Sequence, residues 1–319
     1  MNITFRQLRL FLATAETGSV SAAARAMHVT QPTASMQLRE VTESVGMPLY
    51  DIVSRKLYLT DAGRQLAQTA RRIVDEWENF EQSIHAMQGL TEGRLRIAVV
   101  STAKYFVPRL LGSFCALHPR IDISLEVLNR DGVVQRLREN RDDLYVMSTP
   151  PDDIDLEDQV FLANPLCVIA PHDHPLSARK RVPLQALQGE RFLLRESGSG
   201  TRLATDRFFK AQNFETSSRL ELGSNEAIKE AVAGHLGVAV LSAHAIKPDE
   251  LIKDLCVLPV NGTPIPSQWH IVYPKSRQLS PIAAVFQNHL VQEARLWGPS
   301  SMRKTHTASL NPSVPRRTL

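Results

Sequence analysis

Over residues 5–87 the apolar positions recur at helical spacing, and beyond residue 94 they gather into short runs separated by amphipathic stretches. The first pattern predicts helices, the second strands alternating with helices. Phe5, Leu8, Leu12 and Ala15 line one face of a helix over about Phe5 to Glu16, ended by Gly18. Ser19 and Ser21 offer N-cap oxygens to a short second helix. Its Ala22, Ala23, Ala24 and Ala26 are small enough for another helix to pack close. His28 and Val29 make a turn and Thr30 offers a new cap. Pro32 falls in the first turn of a third helix, where its missing N–H costs nothing. Ala34, Leu38, Val41 and Val45 form the inward stripe of that helix. Pro32, Thr33, Met36, Arg39, Glu40 and Glu43 occupy its other face. This arrangement predicts a helix-turn-helix whose second helix enters the DNA major groove. On periodicity alone, an ordinary helical hairpin fits too.

Tyr50 to Leu59 reads as a short hairpin with Arg55 and Lys56 at its tip, a wing that would set basic side chains beside phosphates. Thr60 caps a long helix and Asp61 complements its N-terminal dipole. Leu66, Ala70, Ile73, Trp77, Phe80, Ile84 and Met87 then alternate at spacings of four and three, a heptad seam. A helix of roughly 28 residues is about 42 Å long. Its seam continues past a small N-terminal domain, which favours pairing with the same helix of another subunit. Gly89 to Gly93 reads as a hinge.

From Arg94 onward, strands are expected at Leu95–Val100, Ile121–Leu128, Leu144–Met147, Phe161–Ala170 and Trp269–Tyr273. Helices are expected at Tyr105–His118, Asp131–Asn140 and Pro281–Trp297, with further short elements between residues 191 and 241. This alternation implies a mainly parallel sheet. Its length suggests two subdomains joined by crossovers near Asn164 and Gln268. In such folds ligands gather at strand carboxyl ends and helix N-termini. Ser101-Thr102-Ala103-Lys104, Gly198-Ser199-Gly200-Thr201-Arg202 and Gly223-Ser224-Asn225-Glu226 qualify. Lys104 and Arg202 add positive charge, so together the three segments describe an anion pocket for a phosphate or carboxylate.

Composition narrows the reading. The net charge of +4 invites nucleic acid, but Arg303, Lys304, Arg316 and Arg317 in the tail account for the whole excess. The helix-turn-helix pattern therefore carries the DNA-binding argument. The 319 residues suggest two or three domains, and a 43% apolar fraction is enough for real cores. Cys115, Cys167 and Cys256 form no CxxC pair, which argues against a disulfide framework or zinc site and for a reducing compartment. No run approaches membrane-spanning length, and Arg6, Arg9 and Glu16 disqualify a secretory signal, so a cytoplasmic location is expected. GxSxG, GxGxxG and Walker A motifs are absent. His172-Asp173-His174, flanked by Pro171 and Pro175, reads as an exposed turn rather than a metal site. No enzyme activity, cofactor or metal is expected.

Phe5-Arg6-Gln7-Leu8, Ala23-Ala24, Val29-Thr30-Gln31-Pro32, Gly46-Met47-Pro48-Leu49-Tyr50 and Leu59-Thr60-Asp61-Ala62-Gly63 resemble the N-terminal domain of LysR-type transcriptional regulators. Val41-Thr42 stands where Leu-Glu is usual, and Ile52 where the general family has Arg. Thr102-Ala103-Lys104-Tyr105-Phe106, Asp142-Asp143-Leu144-Tyr145, Asn164-Pro165-Leu166, Phe192 to Glu196, Gly198 to Arg202 and Leu222 to Lys229 resemble the subgroup regulating Rubisco and Calvin-cycle operons. Ile52 is less unusual in that subgroup, and Thr149 stands where Gln is common.

The resemblance implies an α/β effector domain of two Rossmann-like subdomains, similar to a periplasmic binding protein, behind an all-α winged helix-turn-helix and a long linker helix. The expected divisions are 1–60 for DNA binding, 61–90 for the linker and 92–298 for the effector domain. Within the last, subdomain I comprises 92–163 and 269–298 and subdomain II 164–268; residues 299–319 form a disordered basic tail.

The DNA-binding candidates are Gln31, Pro32, Thr33, Ser35, Met36, Arg39, Arg55 and Lys56. The effector candidates are Ser101, Thr102, Lys104, Asn129, Arg130, Thr149, Thr201, Arg202, Ser224, Asn225 and Glu226. Expected partners are double-stranded promoter DNA, a small anionic metabolite, further copies of the chain as a dimer or tetramer, and RNA polymerase, with no membrane. The expected function is activation of a carbon-fixation operon in response to a phosphorylated metabolite. The alternatives are a LysR-type regulator of another operon and, more remotely, a phosphosugar enzyme or a ligand-binding module.

Overall fold

The computed structural model describes residues 2–54, 56–87, 92–216 and 218–296. The chain forms two compact units, one from residues 1–90 with 139–141 and the other from the remainder. Arg55, most of the expected hinge (residues 88–91), Trp297 and the expected tail 299–319 lie outside the described residues.

In the N-terminal unit, helix α1 (Phe5–Thr17) opens on a capping box between Thr4 and Gln7 and closes on Gly18 at φ 62°. Helix α2 (Val20–Ala26) is capped by Ser19, which accepts from the Ala22 N–H; Ser21 lies inside the helix instead of capping it. His28, at φ 52°, turns the chain. Helix α3 (Gln31–Val45) starts under the Thr30 cap and ends at Gly46, φ 77°. Leu10, Phe11, Ala23, Ala24, Ala34, Leu38 and Val41 meet in one core, so the alanines give the close packing their size allows. Strands β1 (Tyr50–Val53) and β2 (Lys56–Leu59) form an antiparallel wing. The Leu57 N–H donates to the Gly18 carbonyl at 3.0 Å, which ties the wing to the end of α1.

Helix α4 (Asp61–Met87) follows Thr60. The Thr60 hydroxyl accepts from the Gly63 N–H at 3.1 Å and donates to the Pro48 carbonyl at 2.7 Å. Gly63 is required by contact, since a Cβ there would lie 1.9 Å from the Leu49 carbonyl oxygen. The expected seam divides in two. Leu66 and Ala70 turn inward, whereas Ile73, Trp77 and Phe80 are 44%, 51% and 55% exposed. Trp77 stands between Phe5 and Phe80, its ring centroid 5.8 Å from each. Ile84 is half-buried.

The C-terminal unit begins with β3 (Gly93–Val100) and a 3-10 turn, Ser101–Tyr105. Then come α5 (Val107–Leu117), β4 (Ile121–Leu128), α6 (Arg130–Arg138), β5 (Leu144–Met147) and β6 (Leu156–Ala163). After Asn164-Pro165 the chain builds β7 (Leu166–Pro171), β8 (Arg191–Arg195), α7 (Gly200–Ala211), β9 (Ser218–Leu222), α8 (Asn225–Ala233), β10 (Val238–Ser242), α9 (Pro248–Lys253) and β11 (Leu255–Leu258). It returns through β12 (Gln268–Pro274) and ends in α10 (Pro281–Leu296).

The strand orders are β4-β3-β5-β12-β6 and β11-β7-β10-β8-β9. Two expectations are corrected. Phe161–Ala170 is not one strand; it breaks at Asn164-Pro165, with β6 in one sheet and β7 in the other. Nor are the sheets mainly parallel: each has two parallel and two antiparallel ladders. The cause is the double crossover, which returns β12 antiparallel to β5 and sends β7 out antiparallel to β10.

Around the first sheet, Ile97, Val99, Phe106, Phe114, Trp269 and Phe286 form one core. Val168, Phe192 and Val240 pack on one side of the second sheet, and Ile169, Leu193 and Ala239 on the other. Burial on both faces explains why these strands read as unbroken apolar runs. At the crossover, the Asn164 N–H donates to the Ser267 carbonyl (2.8 Å) and the Ser242 hydroxyl to the Asn164 Oδ1 (2.6 Å), which ties the two connections together. Among the described residues, no helix is long and apolar enough to cross a membrane.

Candidate DNA-contacting face and ligand cleft

The outer face of α3 carries Gln31, Pro32, Met36 and Arg39 exposed, with Thr33 and Ser35 half-buried beside them. Thr33 is held by Thr30 through hydroxyls 2.8 Å apart, and the Gln31 amide donates to the Ser35 hydroxyl at 3.2 Å. Thr33 and Ser35 are thus partly committed within the helix, while Arg39 and Met36 stand free of it. Lys56 is exposed at the start of β2. Among the described residues neither Arg39 nor Lys56 makes an ion pair, so both charges are open to a phosphate or a base edge. Ile52, Val53 and Tyr58 are also exposed on the wing, which gives it an apolar surface where an Arg would be usual. Arg55 lies outside the described residues.

The effector candidates divide between two parts of the cleft. In the first, the Ser101–Tyr105 turn of one subdomain meets β8 and the start of α8 in the other. Arg195, buried at the end of β8, donates to Glu196 (2.7 and 2.9 Å), to the Asn225 Oδ1 (2.6 Å) and across the cleft to the Ser101 hydroxyl (3.1 Å). The Asn225 amide donates to the Thr102 hydroxyl at 3.3 Å. Glu226 accepts from Lys104 at 3.0 Å and from the Tyr105 hydroxyl at 2.7 Å. Burial opposes ionisation of Glu226, but the Tyr105 and Lys104 hydrogen bonds outweigh it and hold the carboxyl down at about 2. Burial, then the bond to Glu226, pushes the Tyr105 phenol up. Ser224 is used as the cap of α8, accepting from the Ala227 N–H.

In the second part, Gly198 and Gly200 approach residues 129–131 and 148–149. A Cβ on Gly198 would lie 2.7 Å from the Asp131 carboxylate, and one on Gly200 would lie 3.0 Å from the Ser148 hydroxyl. The two subdomains approach closely here, and a side chain at either glycine would have to displace the Asp131 or Ser148 side chain. Asn129 caps α6 through its Oδ1, accepting from the Gly132 N–H at 2.9 Å. Arg130 donates to the Thr149 carbonyl at 2.7 Å and lies 3.5 Å from Asp131. Thr201 is buried in the first turn of α7. Arg202 turns away to Asp206 (2.9 Å) and Glu221 (3.1 Å).

A cavity of about 1010 Å³ adjoins this second part, lined among others by Thr149, Pro165, Arg207, Phe208, Ile265 and Gln268. Tyr105, Arg195, Glu196 and Arg207 also lie at this cleft and are not among the candidates expected from the sequence. The strand-end rule that selected Ser101 applies equally to Arg195, whereas nothing local marks Arg207, in the middle of α7. Among the described residues no cluster of three or more His, Cys, Asp or Glu side chains is placed to hold a metal ion.

Comparison with known proteins follows this division. Residues 5–64 match the family described as "Bacterial regulatory helix-turn-helix protein, lysR family". Residues 88–295 match "LysR substrate binding domain". The HTH-type transcriptional activator CmpR of Synechocystis is 43% identical over 289 residues, 91% of this chain and 95% of that protein. A RuBisCO operon transcriptional regulator of Acidithiobacillus ferrooxidans is 42% identical over 287 residues, 90% of this chain and 93% of that protein. Among solved structures, the regulatory domain of Synechocystis CcmR in complex with 2-PG is 46% identical with a TM-score of 0.62, covering 64% of this chain and 98% of that one.

Proposed function

The chain belongs to the LysR family of bacterial regulatory helix-turn-helix proteins, and from that premise we propose that it controls transcription of a carbon-fixation operon in response to a small phosphorylated anion. One observation carries the reading: a capped recognition helix with an open cation, Arg39, on a chain over 40% identical along nearly its whole length to a transcriptional activator and a RuBisCO operon regulator. α3 enters the major groove with Gln31, Thr33, Ser35, Met36 and Arg39 toward the bases, while Pro32 fixes its first turn and Arg55 and Lys56 hold phosphates. The exposed part of the α4 seam pairs two subunits, and effector domains assemble further, toward a tetramer. The effector binds between the subdomains and biases their closure, which changes the spacing of the DNA-binding pairs and the bend they impose. The 2-PG complex of CcmR supports a phosphorylated effector. The protein acts in the cytoplasm, by binding rather than turnover, and activates through RNA polymerase at the promoter.

The DNA half of this reading is tested by fluorescence anisotropy on the DNA upstream of the gene. Arg39→Ala is expected to weaken specific binding by about 1–3 kcal/mol and to relax its sequence preference. Lys56→Ala is expected to weaken binding to all sequences alike and to reduce the salt slope by about one. Unchanged affinity in both variants contradicts this assignment of the DNA-contacting face.

A further inference from the structure

The charges already present in the cleft show where an incoming anion finds an unpaired cation. Beside the Ser101–Tyr105 turn the cations have carboxylate partners: Lys104 with Glu226 at 3.0 Å and Arg195 with Glu196 at 2.7 Å. Arg202 is held by Asp206 and Glu221. Arg130 faces the Thr149 carbonyl, with Asp131 at 3.5 Å. An anion arriving at any of these must displace an acid already in place or share its cation.

The cavity next to the crossover differs. Its volume of about 1010 Å³ lies at the upper end of the range for organic ligand sites. Pro150, Pro165, Ala204, Phe208, Pro264 and Ile265 give it apolar wall, and Ser148, Thr149, Ser267 and Gln268 give it hydroxyls and an amide. Arg207 lines it from α7, exposed and, among the described residues, without an ion pair. The imidazole of His270, which also lines the cavity, is held by Asp158 at 2.7 Å. Asp152 is the acid that lines the same cavity.

Resting on the effector reading above, we propose that Arg207 is the specificity-determining residue of the cleft. It receives the phosphate or carboxylate of the effector, while the walls take an organic body. The ligand class is therefore an organic phosphate or carboxylate larger than inorganic phosphate. Lys104 ties the two subdomains together, Arg202 braces α7 within one of them, and neither anchors the ligand. Asp152 sets an upper limit on affinity for anions by repulsion.

The test is isothermal titration calorimetry on the full-length protein, with ribulose 1,5-bisphosphate, phosphoenolpyruvate, NADPH and inorganic phosphate as probes. At least one organic phosphate is expected to bind, and inorganic phosphate more weakly. Arg207→Gln is expected to weaken the organic phosphate about 10- to 100-fold, the loss of one charge-assisted contact. Asp152→Asn is expected to tighten it by about two- to fivefold, a gain that a misfolded protein cannot produce. Lys104→Gln is expected to stay within about threefold of wild type. Wild-type affinity in Arg207→Gln, or loss of binding in Lys104→Gln or Arg202→Gln with Arg207→Gln unaffected, overturns the proposal and leaves the effector reading standing. Failure of the wild type to bind any organic phosphate overturns both.

Discussion

Glu226 is a half-exposed carboxylate at the start of α8 that reaches the opposite subdomain through Tyr105 and Lys104. Its carboxyl is held at about 2, below the ordinary 4.5. A depressed acid contributes stability above its unfolded value and loses it as pH falls through the folded one. The contribution of this contact is therefore present at neutral pH and fades between pH 4.5 and about 2. Glu226→Gln is expected to lower the melting temperature at pH 6, with the difference from wild type shrinking as the pH approaches about 2. A difference independent of pH would show that the contact works through packing rather than charge. At Gly63, by contrast, geometry decides. A Cβ placed 1.9 Å from the Leu49 carbonyl forces backbone to move. Gly63→Ala is expected to cost about 1–3 kcal/mol, measured by denaturant unfolding.

At the scale of elements, the caps were the most legible features. Ser19 and Thr30, both read as caps, each accept from a backbone N–H of the first helical turn, and Gly18 ends α1 in the left-handed region, whereas Ser21 lies inside α2. Such signals are local in sequence, so one chain displays them. A crossover near Asn164 was legible, but the strand was expected to run through it, because apolar residues continue on both sides of Asn164-Pro165. α4 was legible as a helix but not in how its faces divide. Ala67, Ala70 and Val74 are buried, while Ile73, Trp77 and Phe80 are exposed. The exposed trio is the surface available to a partner helix. Trp77→Asp combined with Phe80→Asp is expected to reduce the mass seen by multi-angle light scattering with little change in monomer stability, because neither ring is buried. Val74→Ala should do the opposite, leaving the assembly intact and costing about 0.5–2 kcal/mol of stability. Equal effects of both changes would place the seam inside the folded unit.

At the scale of the whole molecule, the two-part organisation was readable because apolar periodicity changes character near residue 94. The cleft was readable only in part. Strand ends and helix starts marked Ser101, Thr201 and Asn225, but the partners that neutralise their neighbours lie far away in sequence: Lys104 and Glu226 are 122 positions apart. Sequence could count those charges but not pair them, so Lys104 and Arg202 looked available where the structure commits them to acids. The same gap concealed Arg207, whose significance comes from the cavity it lines and not from its neighbours in the chain.

In this proposal, DNA binding by the helix-turn-helix answers to an anion bound between the subdomains. The most direct test is a footprint of the full-length protein on the DNA immediately upstream of its gene, titrated with ribulose 1,5-bisphosphate, phosphoenolpyruvate and NADPH. Specific protection is expected whose extent or bend-induced hypersensitivity changes with at least one of them and no longer changes in Arg207→Gln. Specific protection indifferent to all three would contradict the proposed effector class, and no specific protection would contradict the proposal itself.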